Sequence, residues 1–166
     1  AYNSLSVVEA GMGADAAIDS ATRAAALFEE VCGKERTTDE WRADLALARS
    51  NLAALQGQRG ETAAAIASFE QAIALREKLL RKSPWLVRHK VELGVSLNNL
   101  GRLRIDSGDP GGSLENFRQA NRLYCELVSD HPDHIGYMAG LAALLNNQGL
   151  ALARHDQQQS AAAVYE

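Results

Sequence analysis

The segment DHPDH, residues 130–134, carries the densest group of potential metal ligands in the chain. Its two histidines and two aspartates offer imidazole nitrogens and carboxylate oxygens, which bind divalent cations in proteins. The segment also surrounds Pro132, where an internal repeat of the chain requires an exposed linker. We therefore predict a solvated loop here and no metal site.

Two further patterns could suggest nucleotide binding or catalysis. The GMG motif at residues 11–13 resembles the start of a phosphate-binding loop, but no strand precedes it and no third glycine follows, so we predict a turn between helices. Asp44, Glu92 and Arg102 could imitate an acid–base set, yet nothing supplies a nucleophile or an oxyanion site. We expect no enzyme activity and no cofactor, and we assign these charges to solvation or recognition.

Asparagines recur at a fixed interval. The sequence NNLG at 98–101 returns as NNQG at 146–149, which is 48 residues later. Sliding the chain by this interval aligns Asn3, Asn51, Asn99 and Asn147, together with leucines, glycines, aromatic residues and two prolines. Such self-similarity within one chain indicates a repeated supersecondary unit.

Each unit contains two helical patterns. Leu93, Leu97 and Leu100 form one apolar stripe of a first helix, and residues 62–82 carry a similar stripe on a second. The sequence GDP at 108–110 ends one helix with a glycine and starts the next with an Asp N-cap and a proline. We predict helices at 14–32, 38–57, 62–82, 85–106, 110–129, 134–154 and 158–165, with the end of an earlier helix at 2–10.

These residues resemble the tetratricopeptide repeat family. The family's pattern is read here in Leu97, Asn99, Leu100, Gly101, Gly108, Ser113, Phe117, Ala120 and Pro132. The resemblance implies an all-α fold, a right-handed superhelical solenoid of stacked antiparallel helix pairs with about three and a half repeats. We expect one domain over residues 1–166, with units at 1–36 (partial), 37–84, 85–132 and 133–166 (partial).

The repeat departs from the usual pattern in length. The family's usual period is about 34 residues, so the longer period here implies helices about two turns longer. Kinesin light chains and the repeat arrays of large bacterial signalling proteins, including protein kinases, are similar to this sequence. No kinase signature is present, and we interpret the chain as a fragment of a larger protein. At the ends, Met12 and Asp156 replace the turn glycine.

The resemblance places the asparagine helix on the concave side of the solenoid, where its amides can contact the backbone of a bound peptide. Asn99 lies about 100° from the leucine stripe, and a carboxamide both donates and accepts hydrogen bonds. We therefore predict binding of a protein or an extended peptide in this groove. The predicted binding residues are Asn3, Asn51, Asn98, Asn99, Asn146, Asn147, Asp44, Glu92 and Arg102.

Several alternatives remain open. The repeated asparagines could instead bond the next helix and fix the stacking of repeats. Gly136 and Gly140 could leave room for a ligand side chain or allow close helix packing. Trp41, His89 and Tyr137 share one repeat position, where we expect a packed first turn rather than a ligand contact. The chain could also be a self-association scaffold that uses exposed terminal helices, or a regulatory domain of a signalling protein such as a kinase.

Composition bounds the partners. With 166 residues, a net charge of −4 and no cluster of cations, the chain does not favour nucleic acid. No apolar run approaches the roughly 20 residues of a membrane span, so we expect no membrane partner and a cytoplasmic location. Cys32 and Cys125 have no partner at metal-ligand spacing and are predicted to be reduced core thiols.

Overall fold

Six α-helices make up most of the part of the chain that the structure describes. A computed structural model describes residues 13–34 and 37–165. The helices are α1 (Ala14–Cys32), α2 (Asp39–Gln58), α3 (Thr62–Lys82), α4 (Val87–Asp106), α5 (Pro110–Asp130) and α6 (Ile135–Tyr165). No strand occurs among these residues, and the helices pack against their neighbours, which confirms the predicted all-α class.

Helix starts and ends follow the local sequence signals closely. The starts of all six helices lie within two residues of their predicted positions. Asp109 caps α5, because its carboxylate accepts a hydrogen bond of 2.8 Å from the backbone N–H of Gly112. The predicted helix at 2–10, Asn3 and Met12 lie outside the described residues, and of the GMG motif only Gly13, directly before α1, is described.

The predicted break between residues 154 and 158 is wrong, because α6 continues through it. At the two turns between paired helices, Gly60 and Gly108 adopt positive φ angles of 82° and 85°. Glycine reaches this left-handed region at little cost, whereas other residues rarely do. Asp156 occupies the equivalent position in α6, so the helix has no glycine at which to turn.

Contacts from the extension of α6 also hold it straight. Arg154 donates a hydrogen bond of 3.2 Å to the carbonyl of Ile105, and Gln158 donates one of 3.1 Å to the carbonyl of Gly108. Both carbonyls belong to the end of α4 and its turn, where the i+4 bonds of the helix cease; the carbonyl of Ile105 also accepts a hydrogen bond of 3.1 Å from the N–H of Gly108. The continuous helix therefore adds hydrogen bonds that a bend at residue 156 would remove.

The helices divide into two compact units, with the boundary between Trp85 and Leu86. In the first unit, α2 packs against both α1 and α3. In the second unit, α5 packs against α4 and α6, and α4 also contacts α6 directly. The boundary lies one residue after the end of the predicted repeat 37–84. The assignment of the whole chain to a single domain stays a prediction.

Within a helix pair, an aromatic ring packs directly on a helix backbone. Phe117 of α5 is fully buried, and a β-carbon added at Gly101 of α4 would lie 2.6 Å from its ring. The equivalent residues of the α2–α3 pair, Ala53 and Phe69, are also buried. Small and aromatic residues at these positions therefore set the distance between paired helices.

A polar contact recurs near the turn of each pair. In the first unit, Ser68 donates a hydrogen bond of 2.8 Å to the side-chain oxygen of Gln56. At the same repeat positions of the second unit, Arg104 donates one of 3.0 Å to the side-chain oxygen of Asn116. The residue types differ but the positions match, so the two pairs share one helix register.

The predicted burial of both cysteines is wrong for Cys125, which is exposed, whereas Cys32 is half-buried. Cys125 directly follows the buried Tyr124 and is turned from it by about 100° on α5. Its thiol donates to the side-chain oxygen of Asn121 on the same exposed face. Both thiols are free.

Two glycine-to-alanine variants test the close packing in the second unit. Gly101→Ala should lower the free energy of unfolding by about 1–3 kcal/mol, because the added methyl group collides with the Phe117 ring. Gly149→Ala, at the equivalent position of α6, should raise it by about 0.5–1 kcal/mol, because nothing lies within 4 Å and alanine favours helix. Urea unfolding measures both, and equal effects would contradict the packing.

Candidate interaction surface

The α4 stripe, defined as residues 88, 92, 95, 99, 102 and 106, faces solvent as predicted from its angle to the leucines. Four of its residues are exposed and two, Glu92 and Asn99, are half-buried. About 100° around the same helix, Leu93, Leu97 and Leu100 are buried. Val95 is the apolar member of the stripe, and 43% of its surface is exposed.

The α2 stripe, defined as residues 40, 44, 47, 51, 54 and 58, repeats this pattern in the first unit. Asp44 and Asn51 are half-buried and the other four residues are exposed. Leu47 occupies the position of Val95 and is 41% exposed. Each stripe therefore places a partly exposed asparagine one helical turn after an exposed apolar residue.

The amides of Asn51 and Asn99 are available for intermolecular hydrogen bonds. Within residues 13–34 and 37–165, neither amide forms a hydrogen bond with another protein group. Because each side chain is only partly exposed, each amide is partly shielded from water while its polar groups stay unpaired. Such groups gain from a partner that supplies both a donor and an acceptor.

The asparagines at the α4–α6 contact have a different role. Asn147 of α6 donates a hydrogen bond of 3.0 Å to the side-chain oxygen of Asn98 on α4. Inter-repeat hydrogen bonding, the alternative left open by the sequence, is therefore present for this pair. Asn146 is exposed on α6, and no hydrogen bond of its side chain occurs among the described residues.

Helices α4 and α6 lie side by side in one register. The hydrogen bonds from Asn147, Arg154 and Gln158 to α4 and its turn all join residues 49 or 50 positions apart. Arg154 also lies 3.8 Å from the carboxylate of Asp106. These contacts place the second half of α4 beside the second half of α6, with residues of nearly equivalent repeat positions next to each other.

The two stripes differ in charge. In the α4 stripe, the guanidinium of Arg88 forms a salt bridge of 2.8 Å with Glu92, while Arg102 is exposed and forms no salt bridge among the described residues. In the α2 stripe both charged residues, Glu40 and Asp44, are acidic. A hydrogen bond from its own backbone N–H lowers the pKa of Glu40, with a further contribution from the Thr38 hydroxyl.

Beside the α2 stripe, Asp39 links the start of α2 to the end of α3. Its carboxylate lies 2.6 Å from the ammonium of Lys82 and 2.9 Å from the guanidinium of Arg42. The hydrogen bond with Lys82 is the main cause that lowers the pKa of Asp39. The carboxylates of Glu40 and Asp39 are therefore both ionised at neutral pH.

The shared repeat position of Trp41, His89 and Tyr137 is packed to different degrees. His89 is buried, whereas Trp41 lies 6.2 Å from the Phe28 ring and leaves 43% of its surface exposed. Tyr137 is half-buried and stacks on His134 with ring centroids 3.6 Å apart. Of the three side chains, only His89 is fully packed against the protein as expected for this first-turn position.

The histidines of the 130–134 segment contact an aromatic ring. His131 and His134 are exposed and lie 5.8 and 3.6 Å from the Tyr137 ring. In the part of the chain that the structure describes, no three histidine, cysteine or acidic side chains are grouped so that they could hold a metal ion.

Of the two α6 glycines with alternative roles in the sequence, Gly136 and Gly140, only Gly140 has a packing role. A β-carbon added there would collide with the ring of Tyr124, whereas Gly136 is exposed and borders only His134. Tyr124 was missed by the sequence reasoning. The available signal was the presence of glycines inside two helices, at Gly94 and Gly140, since a mid-helix glycine usually has a packing or functional reason.

Comparison with known proteins supports the repeat class. A family model described as Tetratricopeptide repeat matches residues 45–84, which cover most of α2 and all of α3. The match supports a tetratricopeptide-type repeat in this part of the chain, and repeats of this class are generally non-catalytic modules that bind proteins. No curated protein matches the chain. The longer repeat variant and the likeness to kinesin light chains stay predictions.

A helix that crosses a membrane must be both long and apolar. None of the helices in the described ranges combines the length and the apolar character that crossing a membrane requires.

Stability measurements can separate the two kinds of asparagine. Asn98→Ala and Asn147→Ala should each lower the free energy of unfolding by about 0.5–1.5 kcal/mol, because each removes the same partly buried hydrogen bond. The double variant should lose less than the sum of the two, because a single interaction is broken. Asn99→Ala should change stability by less than about 0.5 kcal/mol. An equal loss for Asn99→Ala in urea unfolding would contradict this division.

Proposed function

We propose that this chain is a non-catalytic module whose two units each bind a protein partner or an extended peptide, the first unit through the α2 stripe and the second through the α4 stripe. One observation carries the proposal: the half-buried amides of Asn51 and Asn99 have no hydrogen-bond partner among the described residues. Each lies one helical turn after an exposed apolar side chain, Leu47 or Val95. A peptide backbone, with its alternating N–H and C=O groups, satisfies both functions of such an amide.

The magnitudes favour moderate affinity. A net hydrogen bond contributes about 0.5–1.5 kcal/mol, so the amides alone supply only a few kcal/mol against the cost of ordering the ligand. Contact with Leu47 or Val95 adds the burial of apolar surface at about 25 cal/mol per Å². The amides and apolar side chains of the stripes therefore bind a peptide without selecting its sequence. The charged residues of the stripes must supply the selectivity.

The charges favour a different ligand side chain at each stripe. Glu40 and Asp44 of the α2 stripe attract a basic residue. In the α4 stripe Arg88 already neutralises Glu92, which leaves Arg102 to attract an acidic residue. Membership of a larger bacterial signalling protein, such as a kinase, and a cytoplasmic location follow only from the resemblance and the sequence, and stay predictions.

The proposal predicts the effect of removing the two unpaired amides. Linear peptides are first selected for binding from a phage-displayed library on the wild-type chain. The Asn51→Ala/Asn99→Ala double variant should bind a selected peptide about 10-fold or more weakly by calorimetry, because up to two hydrogen bonds are lost. Its circular dichroism and urea unfolding should match the wild type.

Gln71→Ala is the matched control, because it removes an exposed carboxamide from α3, outside both stripes. It should leave peptide affinity unchanged. Unchanged affinity of the double variant, or a loss of stability that parallels its loss of affinity, would refute the proposed role of the amides.

A second candidate function is self-association through α6. Met138, Leu145 and Leu152 lie on one face of this helix and are each 42–49% exposed. The equivalent face of α4 carries Leu97 and Gly101, which α5 covers. An uncovered apolar face of this kind favours contact with another copy of the chain.

Self-association predicts a concentration-dependent mass in sedimentation velocity. Leu145→Glu should shift the chain to monomer, because it places a charge in the apolar face. Leu27→Glu on α1, at an equally exposed leucine, should not. A wild-type chain that is monomeric at every concentration would remove this candidate.

A further inference from the structure

Tyr124 lies at the junction of the three helices of the second unit. Its ring, from α5, fits between Gly94 of α4 and Gly140 of α6. A β-carbon at Gly94 would lie 2.9 Å from the ring, and one at Gly140 would collide with it. The two glycines therefore form a slot that fixes the direction of the tyrosine side chain.

The hydroxyl of Tyr124 is an unused polar group at the end of this slot. The residue is only 5% exposed, yet the hydroxyl forms no hydrogen bond with any described residue. The oxygen is not sealed from solvent, so the exposed remainder of the side chain includes this polar end. Burial raises the pKa of Tyr124, which keeps the phenol protonated and able to donate. The hydroxyl is therefore a donor at the surface end of a buried side chain, and it has no partner among the described residues.

The hydroxyl points to the seam between α4 and α6. It would lie 3.0 Å from a β-carbon at Gly140, which is the repeat equivalent of Glu92 in the α4 stripe. Gly136, Gly140 and Ala143 carry little or no side chain, so a ligand backbone can approach α6 closely here. A protonated hydroxyl donates a hydrogen bond, so a main-chain carbonyl can pair with it here and an ammonium group cannot.

We propose that the Tyr124 hydroxyl donates a hydrogen bond to a main-chain carbonyl of a bound extended peptide where the peptide passes over Gly140. This subsite rests on the proposed peptide-binding function and adds a residue of α5 to it. Glu92, the repeat equivalent of Gly140, lies seven residues and about 10 Å along α4 from Asn99. This distance equals about three residues of extended peptide, so one ligand can reach both groups.

The first unit has no equivalent subsite. Arg76 occupies the repeat position of Tyr124 there, and its guanidinium donates a hydrogen bond of 2.7 Å to the hydroxyl of Ser50. In the first unit the residue at this repeat position, Arg76, forms a hydrogen bond within the protein. In the second unit the hydroxyl of Tyr124 is directed to the surface. The subsite therefore distinguishes the second unit from the first.

Tyr124→Phe tests the proposal, because phenylalanine keeps the ring in the slot and removes only the hydroxyl. With a phage-selected linear peptide as the probe, we expect binding about 3–10-fold weaker than wild type and unchanged urea unfolding. A set of probe peptides with single amide-to-ester replacements identifies the acceptor, since an ester carbonyl accepts hydrogen bonds more weakly. One ester should weaken binding to the wild type but not to Tyr124→Phe.

The outcomes separate this inference from the function it rests on. Tyr137→Phe is the matched control and should bind the probe as tightly as wild type. If Tyr124→Phe also binds as wild type while the Asn51→Ala/Asn99→Ala variant loses affinity, the Tyr124 subsite is refuted and peptide binding stands. A parallel loss of stability in Tyr124→Phe would refute it too, since the hydroxyl would then be structural. Selection that yields no binding peptide would refute both.

Discussion

The direct packing of aromatic rings on helix backbones governs this structure. Phe117 on Gly101, and Tyr124 between Gly94 and Gly140, can lie where they do only because no β-carbon stands in the way. This contact fixes how closely α4, α5 and α6 approach and which face of each helix is buried. The exposed position of the α4 stripe is therefore a consequence of core packing and not a separate property of its polar residues.

The same constraint explains why equivalent asparagines differ in role. Close approach of α4 and α6 in one register brings Asn147 within hydrogen-bond distance of Asn98. Asn99, one position later on α4, is turned away by about 100° and keeps its amide unpaired. A repeated residue type can thus serve stacking in one place and remain available for recognition in another. The role of each asparagine depends less on the helix that carries it than on the element that packs beside it.

Much of the fold could be predicted from local signals, because Gly60, Gly108 and Asp109 mark turns by their own backbone chemistry. The exposed stripes followed from helical periodicity alone. For the straight course of α6 the sequence offered one signal, Asp156 in place of the turn glycine, but not the contacts of Arg154 and Gln158 with a turn nearly 50 residues earlier. Tyr124 was missed for a related reason: its slot is built from glycines of two different helices.

The extension of α6 has a consequence for the motions of the second unit. Its side chains hold the carbonyls of Ile105 and Gly108, so the end of α4 is secured by a helix from the following repeat. Fraying normally begins at helix ends, where carbonyls lack partners. Here the end of α4 and the distal part of α6 form one cooperative opening unit, and their amide protons should exchange with solvent at a common rate.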